Sequence, residues 1–590
     1  MKDFIKFTVA TVVGLLLTFA IIFVLSIITM VGVVSSDNAK TIVQENSVLN
    51  LNINGVIEER SKENPFSFLP VADKFDSTGL DEILSAIKNA KEDKNIKGIL
   101  IQAGIMSSGF ASLEEIRAAL LDFKESGKFI VAYGDTYTQG LYYLASVADK
   151  IMLNPQGLIE WRGLASQPMF YKDLLQKIGI EMQIFKVGTY KSAVEPFIAT
   201  SMSEANREQV NVFLNSIWGK VCEGVSISRN IPIDRLNNIA DNLTSMHKAE
   251  EAISCGLADT LIYKTDVRAY LKQLADIDED DKIHLVSVSE MSNVEKSTPR
   301  DKSGNIIAVY YAYGEIDGQS SSLSGEQEGI ISDKVAKDLR KLEKDDDVKA
   351  VVLRVNSPGG SAFGSEQIWY AVTQLKTKKP VIVSMGDYAA SGGYYISCAA
   401  DTIVADPTTL TGSIGIFGMY PNLKGLSDKI GVSFDMAKTN EMSDFGTTVR
   451  PMTESEKAFM QAHINNGYDT FLTRVSDGRN IDKVELDKIA QGRVWTGKDA
   501  LNLKLVDVLG GLDKAIEIAT AKAGIESYTL KNYPDTGSIL DMFSNKTSDY
   551  IKSQIFKSEL GKFYQPFRML ERVNKMDPIQ ARIPFELNIQ

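Results

Sequence analysis

At 590 residues the chain is too long for one hydrophobic core, so two or three domains are expected. Its 44% hydrophobic and 24% charged residues are ordinary for a globular protein, and the net charge of -12 argues against a nucleic-acid surface. Three cysteines (Cys222, Cys255, Cys398) and three histidines (His247, His284, His463) are too few and too scattered for a disulfide framework or a zinc site. No metal and no cofactor is expected.

The first element is apolar. Residues 7–34 hold 28 positions without a charge, rich in Val, Leu, Ile and Phe. About 20 such residues cross a bilayer as a helix, and a secretory signal has a shorter apolar region. Residues 1–36 are therefore read as a cytoplasmic N-terminus and an uncleaved transmembrane anchor. Lys2 and Lys6 precede the span and Asp37 follows it, which puts the N-terminus in the cytoplasm and the rest of the chain on the far side. One span rules out transport through the membrane.

The remainder reads as one domain written twice. GDTYTQGLYY at residues 134–143 faces GDYAASGGYY at 386–395. Residues 96–101 face 348–353, Ala148-Asp149 face Ala400-Asp401, Pro155 faces Pro407, and residues 177–180 face 429–432. Each pair lies 252 positions apart, without a gap over about ninety residues. The first copy is placed at 48–290, a polar linker at 291–304, the second copy at 305–525, and a tail of unassigned role at 526–590. In the second copy residues 306–310 read as strand, 326–342 as helix, 351–355 as strand, 364–375 as helix and 381–385 as strand, followed by a helix after Ser391. Such alternation predicts parallel strands covered by helices, an α/β fold.

Ser391 sits among residues too small to shield it (Ala389-Ala390-Ser391-Gly392-Gly393), immediately after a strand, which is how a fold presents a nucleophile. The first copy has Gln139 there. A serine hydroxyl needs a base to take its proton and donors to hold the developing oxyanion. Backbone donors are offered by Gly392 and by the loop Asn356-Ser357-Pro358-Gly359-Gly360-Ser361, whose Gly-Gly pair is missing from the first copy. For the base, His247 and His284 lie outside the matched block, and His463 has no acidic partner suggested by sequence. A lysine serves if burial lowers its pKa from about 10.4 toward neutrality. The 252-residue offset sets Lys191 against Ser443, so the first copy has a lysine and no nucleophile while the second has the reverse. This complementary loss predicts one site built from both halves.

Tyr190-Lys191-Ser192-Ala193-Val194-Glu195-Pro196-Phe197, Asn356-Ser357-Pro358-Gly359-Gly360 and Ala390-Ser391-Gly392-Gly393-Tyr394 together resemble the long, membrane-anchored signal peptide peptidase A family (protease IV, peptidase family S49). The resemblance runs from the apolar N-terminus through both repeats. It implies two tandem ClpP/crotonase-like domains (a ββα superhelix) behind an N-terminal transmembrane helix, a Ser–Lys dyad split between the repeats, and a bowl-shaped homotetramer at the inner (cell) membrane, its catalytic domains extracytoplasmic. By motif, Ser391 is the nucleophile, Lys191 the general base, and Gly359 and Gly392 the oxyanion donors. Thr411-Gly412-Ser413-Ile414-Gly415 also fits the family pattern and makes Ser413 a candidate for orienting the lysine. The implied reaction is endopeptidase cleavage of spent signal peptides and other apolar peptides in or at the membrane.

Two other readings compete. Crotonase-like acyl-thioester chemistry uses the same fold and a glycine-lined oxyanion hole, but needs neither Ser391 nor Lys191. A non-catalytic membrane scaffold predicts loss of those residues, and they persist.

Overall fold

Runs of Val, Ile and Leu buried on both faces form parallel strands, and residues 348–357 (VKAVVLRVNS) are such a run. The computed structural model describes residues 41–61, 78–278, 280–294, 303–317, 329–535 and 579–583, with scattered positions before residue 22. The anchor expected at residues 7–34 lies largely outside the described residues, among which no helix is long and apolar enough to cross a membrane.

The first repeat contributes β1 (Ser47–Glu58), β2 (Thr78–Gly79), β3 (Ile96–Ser107), β4 (Phe129–Tyr137), β5 (Lys150–Ile159), β6 (Glu181–Lys186), β7 (Thr260–Leu261) and β8 (His284–Ser287). The second contributes β9 (Ile306–Tyr313), β10 (Val348–Ser357), β11 (Gly359–Ser361), β12 (Val381–Ala390), β13 (Thr402–Ala405), β14 (Leu410–Gly412), β15 (Phe417–Asn422), β16 (Val494–Thr496) and β17 (Val508–Leu509). The C-terminal stretch adds β18 (Thr529–Tyr533) and β19 (Ile579–Arg582). One parallel sheet runs β2-β1-β3-β4-β5-β7, with β8 beside β1. A second runs β16-β14-β12-β10-β9-β18, with β13 between β12 and β17, and only its β14–β16 pair is antiparallel. A third, antiparallel sheet runs β11-β19-β15-β6 and takes strands from both repeats and the tail.

The duplication is visible in the helices. Lys172–Ile178 returns as Lys424–Ile430, 252 positions on, and Glu204–Arg229 returns as Glu454–Arg479, 250 positions on. Two residues are thus lost from the second copy between those helices, the interval that carries Lys191 in the first. The apolar core of the first repeat continues through Ala390, Leu410 and Val494 of the second, so the repeats share a hydrophobic interface next to residue 391.

Several elements differ from expectation. The helix read at 326–342 is Ser332–Lys344, with residues 326–328 outside the described set. It starts late because the Asp317 carboxylate accepts hydrogen bonds from the Ser332 N–H (2.8 Å) and hydroxyl (2.7 Å), pinning the first turn there. The strand read at 381–385 continues to Ala390, carried by its pairing with β14. Met291 and Ser292, assigned to the linker, close the helix Val288–Ser292, and Met291 is buried in the first core. Of the stretch 526–590, whose role the sequence left unassigned, β18 joins the edge of the second sheet beside β9, and β19 enters the third.

Candidate active site

Ser391 lies between the end of β12 and the helix Gly392–Ser397, with φ +54° and ψ −111°. That is a strained conformation for a residue with a Cβ and costs about 1–3 kcal/mol. It is held from both sides: the Ser391 N–H donates to Gly412 O (2.8 Å), and the Tyr395 N–H donates to Ser391 O (2.8 Å). The bend turns the hydroxyl out of the strand. Ser391 Oγ stands 2.8 Å from Lys191 Nζ and 3.4 Å from Gly415 O.

Lys191 reaches this point from the other repeat. β6 pairs antiparallel with β15 from Glu181↔Asn422 to Lys186↔Phe417, which carries the first-repeat chain across to the second. The turn that follows is fixed to residues 491–494. The Tyr190 N–H donates to Gln491 O (2.9 Å), and Gln209 Nε2 donates to Tyr190 O (3.1 Å) and Ser192 Oγ (3.0 Å). Gln209 Oε1 accepts from the Val494 N–H (3.2 Å). Gly492 backs directly on Lys191, since a Cβ there would stand 2.7 Å from the lysine Cβ.

The lysine is fully buried, and burial alone pushes its pKa well below the ordinary value. Among the described residues no carboxylate pairs with it, so nothing restores the charged form. Nζ is 3.2 Å from Ser413 Oγ and 3.3 Å from Ser413 O. Ser413 adopts φ +48° and its N–H donates to Arg493 O (2.7 Å), which fixes both oxygens relative to the amine. The dry amine beside a hydroxyl is an arrangement that can take that hydroxyl's proton.

Gly359 and Gly392 face each other across the site: a Cβ on Gly392 would stand 3.1 Å from the Gly359 Cα. Gly392 opens a helix, so its N–H has no intrahelical acceptor. The Gly359 N–H donates to Ser357 Oγ (3.2 Å), a partner that reading the motif did not anticipate. Gly359 adopts φ +104°, where a side chain would be strained.

The first copy keeps the geometry and has filled it. Gln139 Nε2 donates to Gly163 O (3.2 Å), and Oε1 accepts from the N–H groups of Arg162 (3.0 Å) and Gly163 (3.0 Å). Gly163 is the counterpart of Gly415, so an amide ties up the groups that Ser391 faces in the second copy. Ser443, set against Lys191 by sequence offset, is exposed and bonds within its own turn to Thr439 and Asn440, and Lys438 pairs with Asp444 (2.8 Å) at the surface. None of the histidines joins the site: His463 is exposed beside Phe459, and His247 lies 3.4 Å from Glu251.

One occupant was not legible in the sequence. β19 lies between β11 and β15 with Ala581 fully buried. Its four residues carry no repeat, periodicity or motif that could have placed them.

Comparison with known proteins shows the family. The peptidase family S49 profile matches residues 122–278 and again 373–526, and a Clp protease profile matches 311–407. The S49 matches fall once in each repeat, and the fold is two tandem ClpP-like α/β repeats. Protease 4 of Salmonella typhi is 38% identical over 522 residues, 86% of this chain and 83% of that protein. Protease 4 of Haemophilus influenzae is 36% identical over 84% of this chain and 82% of its own length. The chloroplastic serine protease SPPA of Arabidopsis thaliana is 32% identical, covering 82% of this chain and 70% of that one.

Proposed function

The chain belongs to peptidase family S49 and is a serine protease, and we propose that it is a membrane-anchored endopeptidase working through a Ser391–Lys191 dyad on apolar peptides, spent signal peptides among them. Residues 7–34 are the anchor, the repeats face the extracytoplasmic side, and the working form is a homotetramer. The observation that carries the dyad is the 2.8 Å separation of Lys191 Nζ from Ser391 Oγ in a dry site without a histidine.

The chemistry follows from that geometry. Lys191, neutral through burial, takes the Ser391 proton as Oγ attacks the scissile carbonyl carbon. The Gly392 N–H, together with that of Gly359 once it turns from Ser357, stabilises the oxyanion. The lysine then gives its proton to the leaving amine, and water resolves the acyl-enzyme by the reverse sequence. Ser413 keeps the amine pointed at the hydroxyl throughout.

Ser391→Ala and Lys191→Ala are each expected to reduce hydrolysis of an apolar reporter peptide by about 10²–10⁴-fold or more. A serine-directed fluorophosphonate is expected to label the wild type and not Ser391→Ala. Full peptidase activity in both variants overturns the dyad, and loss in Ser391→Ala alone points to another base.

A further inference from the structure

The candidate active site already holds a length of polypeptide, and it is the chain's own. β19 runs antiparallel to β11 with Gly359↔Arg582, Gly360↔Ala581 and Ser361↔Gln580, and antiparallel to β15 with Phe417↔Gln580 and Gly418↔Ile579. The Ile583 N–H donates to Pro358 O (3.0 Å), extending the ladder past the last strand residue. An extended segment hydrogen-bonded along an open strand edge is the standard way a fold binds peptide main chain. Arg582 is anchored in addition by its guanidinium, 3.0 Å from Glu315 Oε1.

The register places one carbonyl at the reactive centre. A Cβ on Gly359 would stand 1.9 Å from Ala581 O and 2.9 Å from Ala581 C, and a Cβ on Gly392 would stand 3.1 Å from the same oxygen. The Ala581 carbonyl therefore lies against both glycines assigned to the oxyanion, one of them the residue after Ser391. With the strand in place Ser391 and Lys191 have no exposed surface, so an external peptide cannot reach the serine until this segment leaves.

We propose that residues 579–583 are a substrate built into the chain, and that the Ala581–Arg582 bond is cut in cis by Ser391. The proposal rests on the dyad reading above. Ser391 Oγ attacks the Ala581 carbonyl carbon while its proton passes to Lys191 Nζ. The C–N bond breaks, that proton moves to the Arg582 nitrogen, and Ala581 remains as an ester on Ser391. Water attacks the ester carbon, and its proton returns through Lys191 to Oγ. The products are a chain ending in the Ala581 carboxylate and the peptide 582–590. The bond sits after a small, fully buried side chain.

Intact-mass spectrometry of the purified full-length protein tests this. The wild type is expected to lose residues 582–590, with at least tenfold more trimmed chain than Ser391→Ala. Ala581→Trp, whose indole has no room where Ala581 is fully buried, is expected to stay at full length. Trimming of Ala581→Trp after residue 581 overturns the register. Ser391→Ala mixed with wild type is expected to remain intact, and its trimming overturns the cis assignment. A wild type that keeps residues 582–590 while hydrolysing an external apolar peptide overturns self-cleavage and leaves the dyad standing. Folded wild type that does neither overturns both.

Discussion

A lysine in water holds its proton at neutral pH and is no base. Lys191 is converted into one by burial, which pushes its pKa well below 10.5 with no acid to oppose the shift. Between that lowered native value and the ordinary one, the unfolded chain binds a proton that the native chain does not. Stability therefore rises with pH across this window, and the penalty for burying the lysine is gone above it. Lys191→Met removes the penalty along with the base. It is expected to be inactive yet more stable than wild type at pH 7, by about 1–3 kcal/mol. The gap should shrink as pH approaches 10.5, as read by urea denaturation at a series of pH values. In the wild type kcat should climb with pH to a plateau reached below the ordinary lysine range. A stability difference independent of pH would mean that the native lysine is charged.

The turn that delivers Lys191 depends on elements of the other repeat, above all the segment around Gly492. Gly492 has φ +77°, and a Cβ there would stand 2.7–2.8 Å from Lys191 Cβ, Cα and N. Gly492→Val must push the lysine backbone away from the serine. A displacement near 1 Å costs about 10²-fold, so kcat should fall by that order with KM nearly unchanged and the far-UV circular dichroism intact. Wild-type kcat would show that the turn yields without moving the amine. The pairing of Lys191 with Ser391 was legible in sequence because a duplication supplies its own comparison, and what one copy lacks the other keeps. Residues 491–494 were not legible as the lysine's support, since contact between repeats leaves no periodic mark. β19 was hidden for the same reason. The late helix start at Ser332 depends on Asp317, fifteen residues upstream, and helix periodicity does not register such a cap.

Across the whole molecule, a site with one half in each repeat exists only while the repeats stay docked. A buried charge network beside the shared apolar interface joins them. Arg354 of β10 is fully buried, with Nε 2.8 Å from Glu59 Oε2 and a terminal nitrogen donating to Glu115, and both acids belong to the first repeat. Glu59 also accepts from Asn356 Nδ2 (2.7 Å), and Glu115 from the Leu512 N–H (2.9 Å). Asp387, four residues before the nucleophile, accepts from the N–H (3.0 Å) and hydroxyl (2.7 Å) of Ser112. An arginine in the middle of an apolar strand (VVLRVNS) was itself a sequence signal that acids from elsewhere must meet it. Removing the arginine strands two carboxylates in the interior, and breaking a buried pair in this way costs about 3–5 kcal/mol. Burial already raises the Glu115 carboxyl above its ordinary value, and in Arg354→Met the guanidinium that opposes this shift is gone, so Glu115 should be held neutral in the native state. The loss of stability should be small at acid pH and grow as pH rises through that raised value. The combination Glu59→Gln, Glu115→Gln, Arg354→Met removes the arginine together with both acids it binds and should recover most of the loss and its pH dependence. Urea denaturation followed beside peptidase activity checks both points. In Arg354→Met activity should disappear at a lower urea concentration than in wild type, because separating the repeats parts Lys191 from Ser391. If the triple variant is no more stable than the single one, the packing of the arginine stem outweighs its charge, and the network is not what holds the halves together.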